Sequence, residues 1–123
     1  MRILVAIGGA GALGSMLRYV LGRFVQEKAH LTFPVGTLLV NALGCLLVGA
    51  IARYYLNDET QPVVRAALIV GFCGGFTTFS AFSLETFGFI AGGAWGKAIG
   101  YAVTSTLLCV ASTATGYQLV LRR

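Results

Sequence analysis

Gly71-Phe72-Cys73-Gly74-Gly75-Phe76-Thr77-Thr78-Phe79-Ser80-Ala81-Phe82-Ser83 sits in the middle of an apolar stretch running from about Val63 to Ile90. Two adjacent glycines followed by two threonines disfavour a continuous helix, because glycine weakens a helix interior and β-branched threonine does little to restore it. The pattern predicts two half-helices around a break near residues 74–78. A break frees backbone carbonyls from the helix ladder, and in lipid each must find another partner: water, a neighbouring chain or a bound cation. A packing kink is the plain alternative. The hydroxyls of Thr77, Thr78, Ser80 and Ser83 around the break point instead to an ion-related site.

Composition places this stretch in lipid. Of 123 residues, 57% are hydrophobic and only 11% charged, and the mean hydropathy is +0.83, far above that of a water-soluble domain. Charged residues punctuate the chain and mark where it meets water, since an unpaired charge at mid-bilayer costs about 3 kcal/mol on insertion scales. Four spans emerge, at about residues 3–25, 33–55, 63–90 and 97–121. They form a single all-α transmembrane domain with the third helix broken. The loop Gln26, Glu27, Lys28, Ala29, His30 closes the first span; Pro34 suits the first turn of the second. Asn57, Asp58, Glu59, Thr60, Gln61 and Pro62 separate the second from the third, and Gly92, Gly93 and Ala94 form the last turn. The Met1 end reads as the first span rather than a cleavable signal, because its apolar run is Gly-rich, crosses Arg18 and is followed by three more.

An even number of spans places both termini on one side. Arg2, Arg53, Arg65, Arg122 and Arg123 then fall with the termini, while Arg23, Lys28, Lys97 and Arg18 fall opposite. So small a bias under the positive-inside rule permits insertion in both orientations, and with it an antiparallel homodimer; a single, weakly biased topology helped by a partner is the other possibility. The net charge of +5 does not argue for nucleic acid, because these cations stand at helix ends where lipid phosphates are nearer.

Two motifs mislead. Gly9, Gly11 and Gly14 spell G-x-G-x-x-G after a strand-like Ile3-Leu4-Val5-Ala6-Ile7, with Glu27 downstream, yet a dinucleotide site needs a soluble βαβ unit. In an apolar segment, small residues let helices approach closely. Cys45, Cys73 and Cys109 are widely spaced within apolar spans and lack metal-site spacing, so they read as packing thiols. His30, the only histidine, reads as a solvated loop residue, and no hydrolytic triad can be assembled.

Polar residues inside the spans remain as functional candidates. Phe79 and Phe82 share a helical face, with Ser80 and Ser83 alongside. Aromatic rings carry a positive edge, so rings presented edge-on can favour an anion without a full charge in the membrane; lipid-facing packing is the bland reading. Asn41 adds a carboxamide near mid-bilayer, with Thr37 one turn before it, suited to an interhelical hydrogen bond or to an ion. Tyr101, Ser105 and Cys109 make a stripe on the fourth span, although serine can also satisfy its own helix. Glu85 is the only acid well inside a span and should face protein or water.

These residues resemble the CrcB/Fluc family of fluoride channels over nearly the whole chain. The matching features are Gly8-Gly9 through Gly14 with Arg18, Gly36-Thr37 with Val40-Asn41 and Gly44, and above all the stretch 71–83. The resemblance implies an antiparallel, dual-topology homodimer with two fluoride pores, in the inner membrane of a bacterium. It implies a structural sodium ion held at the dimer centre by backbone carbonyls of Gly74 and Thr77, and ring edges of Phe79 and Phe82 facing fluoride from different subunits. It further implies that Asn41 donates to the ion, that Ser80, Tyr101 and Ser105 stand beside the pore, that Arg18 lies by the aqueous entrance, and that Glu85 matches a family carboxylate. Relatives often carry serine where Cys109 stands, and a thiol donates more weakly; Ala81 replaces a common threonine.

Fluoride is small and strongly hydrated, so a pore must replace its water with weak donors at several points, firmly enough for entry and loosely enough for exit. The implied physiology is passive export: neutral HF enters from acidic surroundings, dissociates in the cytoplasm and leaves as the anion. A small multidrug transporter has a similar length and topology but relies on a glutamate in its first helix, and the first helix here has no acid. A membrane assembly subunit would explain the small-residue packing but not the ordered Thr, Phe and Ser cluster. An enzyme would need a paired acid and base, which are missing, and no soluble protein partner is implied.

Overall fold

In the computed structural model, which describes residues 1–55 and 61–120, the regular elements are all helical. Four apolar segments are long enough to cross a membrane: Arg2–Ala29, Val35–Tyr54, Pro62–Ala91 and Trp95–Leu119, of 28, 20, 30 and 25 residues. At about 1.5 Å per residue even the shortest reaches about 30 Å, the thickness of the hydrocarbon core. The protein is therefore a multi-pass membrane protein. We label Arg2–Ala29 α1 and Val35–Tyr54 α2. The third segment divides into α3, residues 62–76, and α4, Phe79–Ala91; Trp95–Leu119 is α5. Within α3, Pro62–Ala66 and Gly74–Phe76 are α-helical and Ala67–Cys73 is wound as a π-helix.

α1 extends past Val25, so Gln26, Glu27, Lys28 and Ala29 are helical rather than loop. Charge marks where the chain leaves lipid, but the helix continues into water on its own local pairs. Arg23 Nε donates to Glu27 Oε1 at 2.6 Å one turn on, and Lys28 stands in the last turn, where a cation suits the helix dipole. His30, at φ 51°, ends the helix in the left-handed region. Gln26 then organises the connection: its Nε2 donates to the carbonyls of Leu31 (2.7 Å) and Phe33 (3.1 Å), and its Oε1 accepts from the Gly36 amide at 3.1 Å. Pro34 precedes α2 as its N-cap, and Pro62 takes the first-turn position. Gly92 and Gly93 form the expected turn, Gly93 at φ 75°. Asn57, Asp58, Glu59, Thr60, Leu121, Arg122 and Arg123 lie outside the described residues.

Backbone-to-backbone contacts at small residues hold the bundle. A Cβ at Gly14 would strike the Phe72 carbonyl, one at Gly75 the Gly11 carbonyl, and one at Gly71 the Ile7 carbonyl. Gly11 and Gly14 of the apparent nucleotide motif are thus the seat of α3 on α1, in helix and not in a strand-turn. Gly49 packs on the Thr113 carbonyl and Gly116 on that of Leu46, so α2 and α5 run parallel in close contact. Few large side chains are fully enclosed, Tyr101 and Val40 being the main ones, while Phe79, Leu84 and Val5 stay largely exposed, as suits a chain whose outside meets lipid or another protein surface.

Candidate functional site

The helix ladder stops at Thr77, whose amide and Oγ1 both donate to the Cys73 carbonyl at 2.9 Å. Thr77 and Thr78 are extended, at φ −91°, ψ 159° and φ −148°, ψ 116°. In a continuous helix the Thr78 amide would close onto Gly74 O; here it donates to Asn41 Oδ1 at 2.7 Å, while Asn41 Nδ2 donates to the Thr78 carbonyl at 3.1 Å. Asn41 thus clamps the break from α2 with both ends of its carboxamide. Thr78 Oγ1 accepts from the Ala81 amide at 3.2 Å and so caps α4. The next carbonyl, Gly75 O, accepts from Arg18 Nε at 3.1 Å. Gly74 O is thereby left outside the ladder that would have satisfied it.

On one side of the break lies a groove of about 440 Å³, lined among others by Asn41, Cys45, Gly74, Thr77, Phe79, Phe82, Ser105 and Cys109. The Phe79 and Phe82 rings stand 5.4 Å apart between centroids, tilted by 42°. Phe79 is 79% exposed; Phe82 leans on Tyr101 at 5.2 Å. Ser105 is only 6% exposed, and its hydroxyl has no hydrogen-bond partner among the described residues. A buried donor left unpaired costs roughly 1–3 kcal/mol, and Ser105 lines the groove.

On the other side is a cavity of about 280 Å³ whose lining includes Arg18, Arg23, Gln26, Thr37, Thr78 and Glu85. Glu85 faces protein: Thr37 Oγ1 donates to its Oε1 and Tyr101 Oη to its Oε2, each at 2.6 Å. Two short hydrogen bonds of this kind hold the carboxyl group in one orientation.

The structure therefore brings Asn41, Gly74, Thr77, Phe79, Phe82, Ser105 and Cys109 around one groove and Arg18 with Glu85 around a second cavity. Thr78 borders both. Tyr101 is fully buried behind Phe82 with its hydroxyl spent on Glu85, so toward the groove it offers packing rather than an O–H. Ser80 is exposed and hydrogen-bonded to Thr78 Oγ1 at 3.1 Å. The role of Thr78 as both clamped residue and cap was not visible beforehand; a threonine just before a renewed apolar run was the available signal.

Residues 3–117 match the family model described as CrcB-like protein, Camphor Resistance (CrcB). The chain is similar to proteins named fluoride-specific ion channel FluC. It is 47% identical to that of one Thermus thermophilus strain over 117 residues, covering 95% of this chain and 91% of the relative. Identity is 39% over 120 residues to that of a Sulfurovum species, covering 98% and 94%, and 38% over 120 residues to that of Aquifex aeolicus, covering 97% of each.

Proposed function

The chain belongs to the CrcB family, and from that premise we propose that it is a fluoride-selective channel through which fluoride leaves the cytoplasm passively, lowering its toxicity. The observation that carries the reading beyond the family is the unpartnered, buried Ser105 hydroxyl in the same groove as the Phe79 and Phe82 rings. Together they form a wall of weak donors with no cationic side chain among them, which can replace water around a small anion without trapping it.

In this reading Ser105 donates its O–H, Phe79 and Phe82 present ring edges, and Asn41 has one amide N–H left after clamping Thr78. Ser80 lies beside the path. Tyr101 acts through Glu85 and by backing Phe82, and Arg18 gives the second cavity a positive mouth. Cys109, one turn past Ser105, continues the track with a weaker donor. The reading assigns the chain passive conduction and no bond-making chemistry.

The groove is open along the exposed Phe79 side, which suits closure by a second, antiparallel copy in a bacterial inner membrane; the nearly balanced basic residues support that arrangement. A structural sodium ion fits the break: Gly74 O has lost its Thr78 partner, and hard carbonyl oxygens suit a hard cation. Gly74 and Thr77 would hold it, and it would supply fixed positive charge to tie the broken helices. The test is efflux from liposomes carrying the purified protein, followed with fluoride- and chloride-selective electrodes. Fluoride release well above chloride release is expected, and equal release, or none, overturns the reading.

A further inference from the structure

α2 and α5 meet in a repeating register that brings two thiols together. Thr37 and Tyr101 converge on Glu85, Asn41 and Ser105 line the same groove, Gly49 packs on Thr113, and Arg53 Nη1 donates to Tyr117 Oη at 3.2 Å. These pairs fall in steps of four residues on both helices, and the step between Asn41–Ser105 and Gly49–Thr113 is Cys45–Cys109. Both cysteines are free and partly accessible, and both line the groove. The register sets them at facing positions of α2 and α5.

We propose that Cys45 and Cys109 form a dithiol site for a soft, thiophilic metal cation of the d10 class, such as Hg(II), Ag(I) or Cu(I), set in the wall of the groove. Among the described residues no three His, Cys, Asp or Glu side chains gather into a metal-binding group, so the site rests on the Cys45–Cys109 pair alone. Two thiolates suffice for these ions, which accept two-coordinate, near-linear geometry and prefer sulfur to oxygen. With mercuric chloride the step balances as two S–H and two Hg–Cl bonds broken, two S–Hg bonds formed, and two protons and two chloride ions released to solvent, with no change of oxidation state. The bound ion would bridge α2 and α5 one helical turn from Ser105 and fill the space facing Phe79 and Phe82. Its consequence, blockage of fluoride passage, rests on the channel reading above; the binding itself does not.

The test uses the full-length protein with Cys73→Ser as background, since Cys73 is buried at the same groove. Cys73→Ala serves if the serine disturbs folding. To it are added Cys45→Ser or Cys109→Ser. Each protein is loaded with mercuric chloride and washed with a monothiol such as 2-mercaptoethanol, which strips a single mercaptide but competes poorly with a chelating pair. Retained mercury is then measured by mass spectrometry, and fluoride efflux is compared with and without mercury for each variant against itself. The expected result is one mercury per chain retained, with loss of efflux, in the Cys73→Ser protein, and loss of mercury with recovery of efflux when either Cys45 or Cys109 is also replaced. Mercury washed from the Cys73→Ser protein as readily as from the others overturns the dithiol. Mercury retained with undiminished efflux overturns its place in the path. If no variant passes fluoride even without mercury, the channel reading fails, while retention still decides the site.

Discussion

Replacing Asn41 by alanine should cost more than any other single change at the break. The carboxamide makes two hydrogen bonds to Thr78, at 2.7 Å and 3.1 Å. Interhelical side-chain hydrogen bonds within membranes average about 0.6 kcal/mol and reach about 1.7 kcal/mol. Both Thr78 groups belong to the backbone and lie between helices, so alanine removes their partner and offers none; a buried amide left unpaired costs roughly 1–3 kcal/mol. The expected loss is about 2–4 kcal/mol, or roughly 30- to 1000-fold in the unfolding equilibrium at about 1.4 kcal/mol per tenfold. SDS titration of the protein in mixed micelles, followed by far-ultraviolet circular dichroism, measures the global effect, and amide hydrogen exchange at Thr78 measures the local one. A shift below about 0.5 kcal/mol, the range of a change that touches nothing, together with unchanged exchange at Thr78, would refute the clamp.

Phe79→Ile and Phe82→Ile should each sharply reduce fluoride efflux while leaving the oligomer intact on size exclusion, because a branched aliphatic side chain keeps the bulk and loses the positive ring edge; unchanged efflux in both rejects the ring-edge role. Gly75→Ala should destabilise by about 1–3 kcal/mol, because the new methyl group meets the Gly11 backbone. Gly8→Ala, whose methyl group meets nothing, should be neutral or slightly stabilising, and equal thermal unfolding of the two variants would count against the α1–α3 seat. Dissociation of the proposed dimer should be easier in a large organic cation than in sodium, and identical dissociation in the two media would remove the case for a bound sodium ion at Gly74 and Thr77.

The parts of this fold that depend on solvent were legible in the sequence, because lipid imposes one rule on every span: long apolar runs, with small residues where helices touch. The break was legible for the same reason, since Gly74, Gly75, Thr77 and Thr78 combine poor helix formers at mid-membrane. Side-chain reach was not legible. Nothing in the spacing says that Arg18 turns to the Gly75 carbonyl, that Gln26 holds the connection to α2, or that the Tyr101 hydroxyl goes to Glu85 and away from the groove. These depend on which helices become neighbours. The π-helical winding of Ala67–Cys73 was not legible either, because a π turn differs from an α turn in the register of its hydrogen-bond ladder, which the apolar pattern does not show.

The α2–α5 seam explains why polar groups and glycines alternate as they do along both helices. From Thr37 to Arg53 the seam rises about 24 Å at 1.5 Å per residue, most of the hydrocarbon thickness. A pairing period of four residues exceeds the 3.6 of an α-helix, which favours a right-handed crossing of the kind that small residues permit. The helices touch most closely where Gly49 and Gly116 meet the opposite backbone, and at the other end Glu85 of α4 stands between Thr37 and Tyr101. Asn41, Cys45, Ser105 and Cys109 lie along the seam between these two ends, and all four line the groove. The groove is therefore a joint product of seam and break: the α2–α5 register lines up Asn41, Cys45, Ser105 and Cys109 on one side, and the interrupted third segment presents Gly74, Thr77, Phe79 and Phe82 on the other.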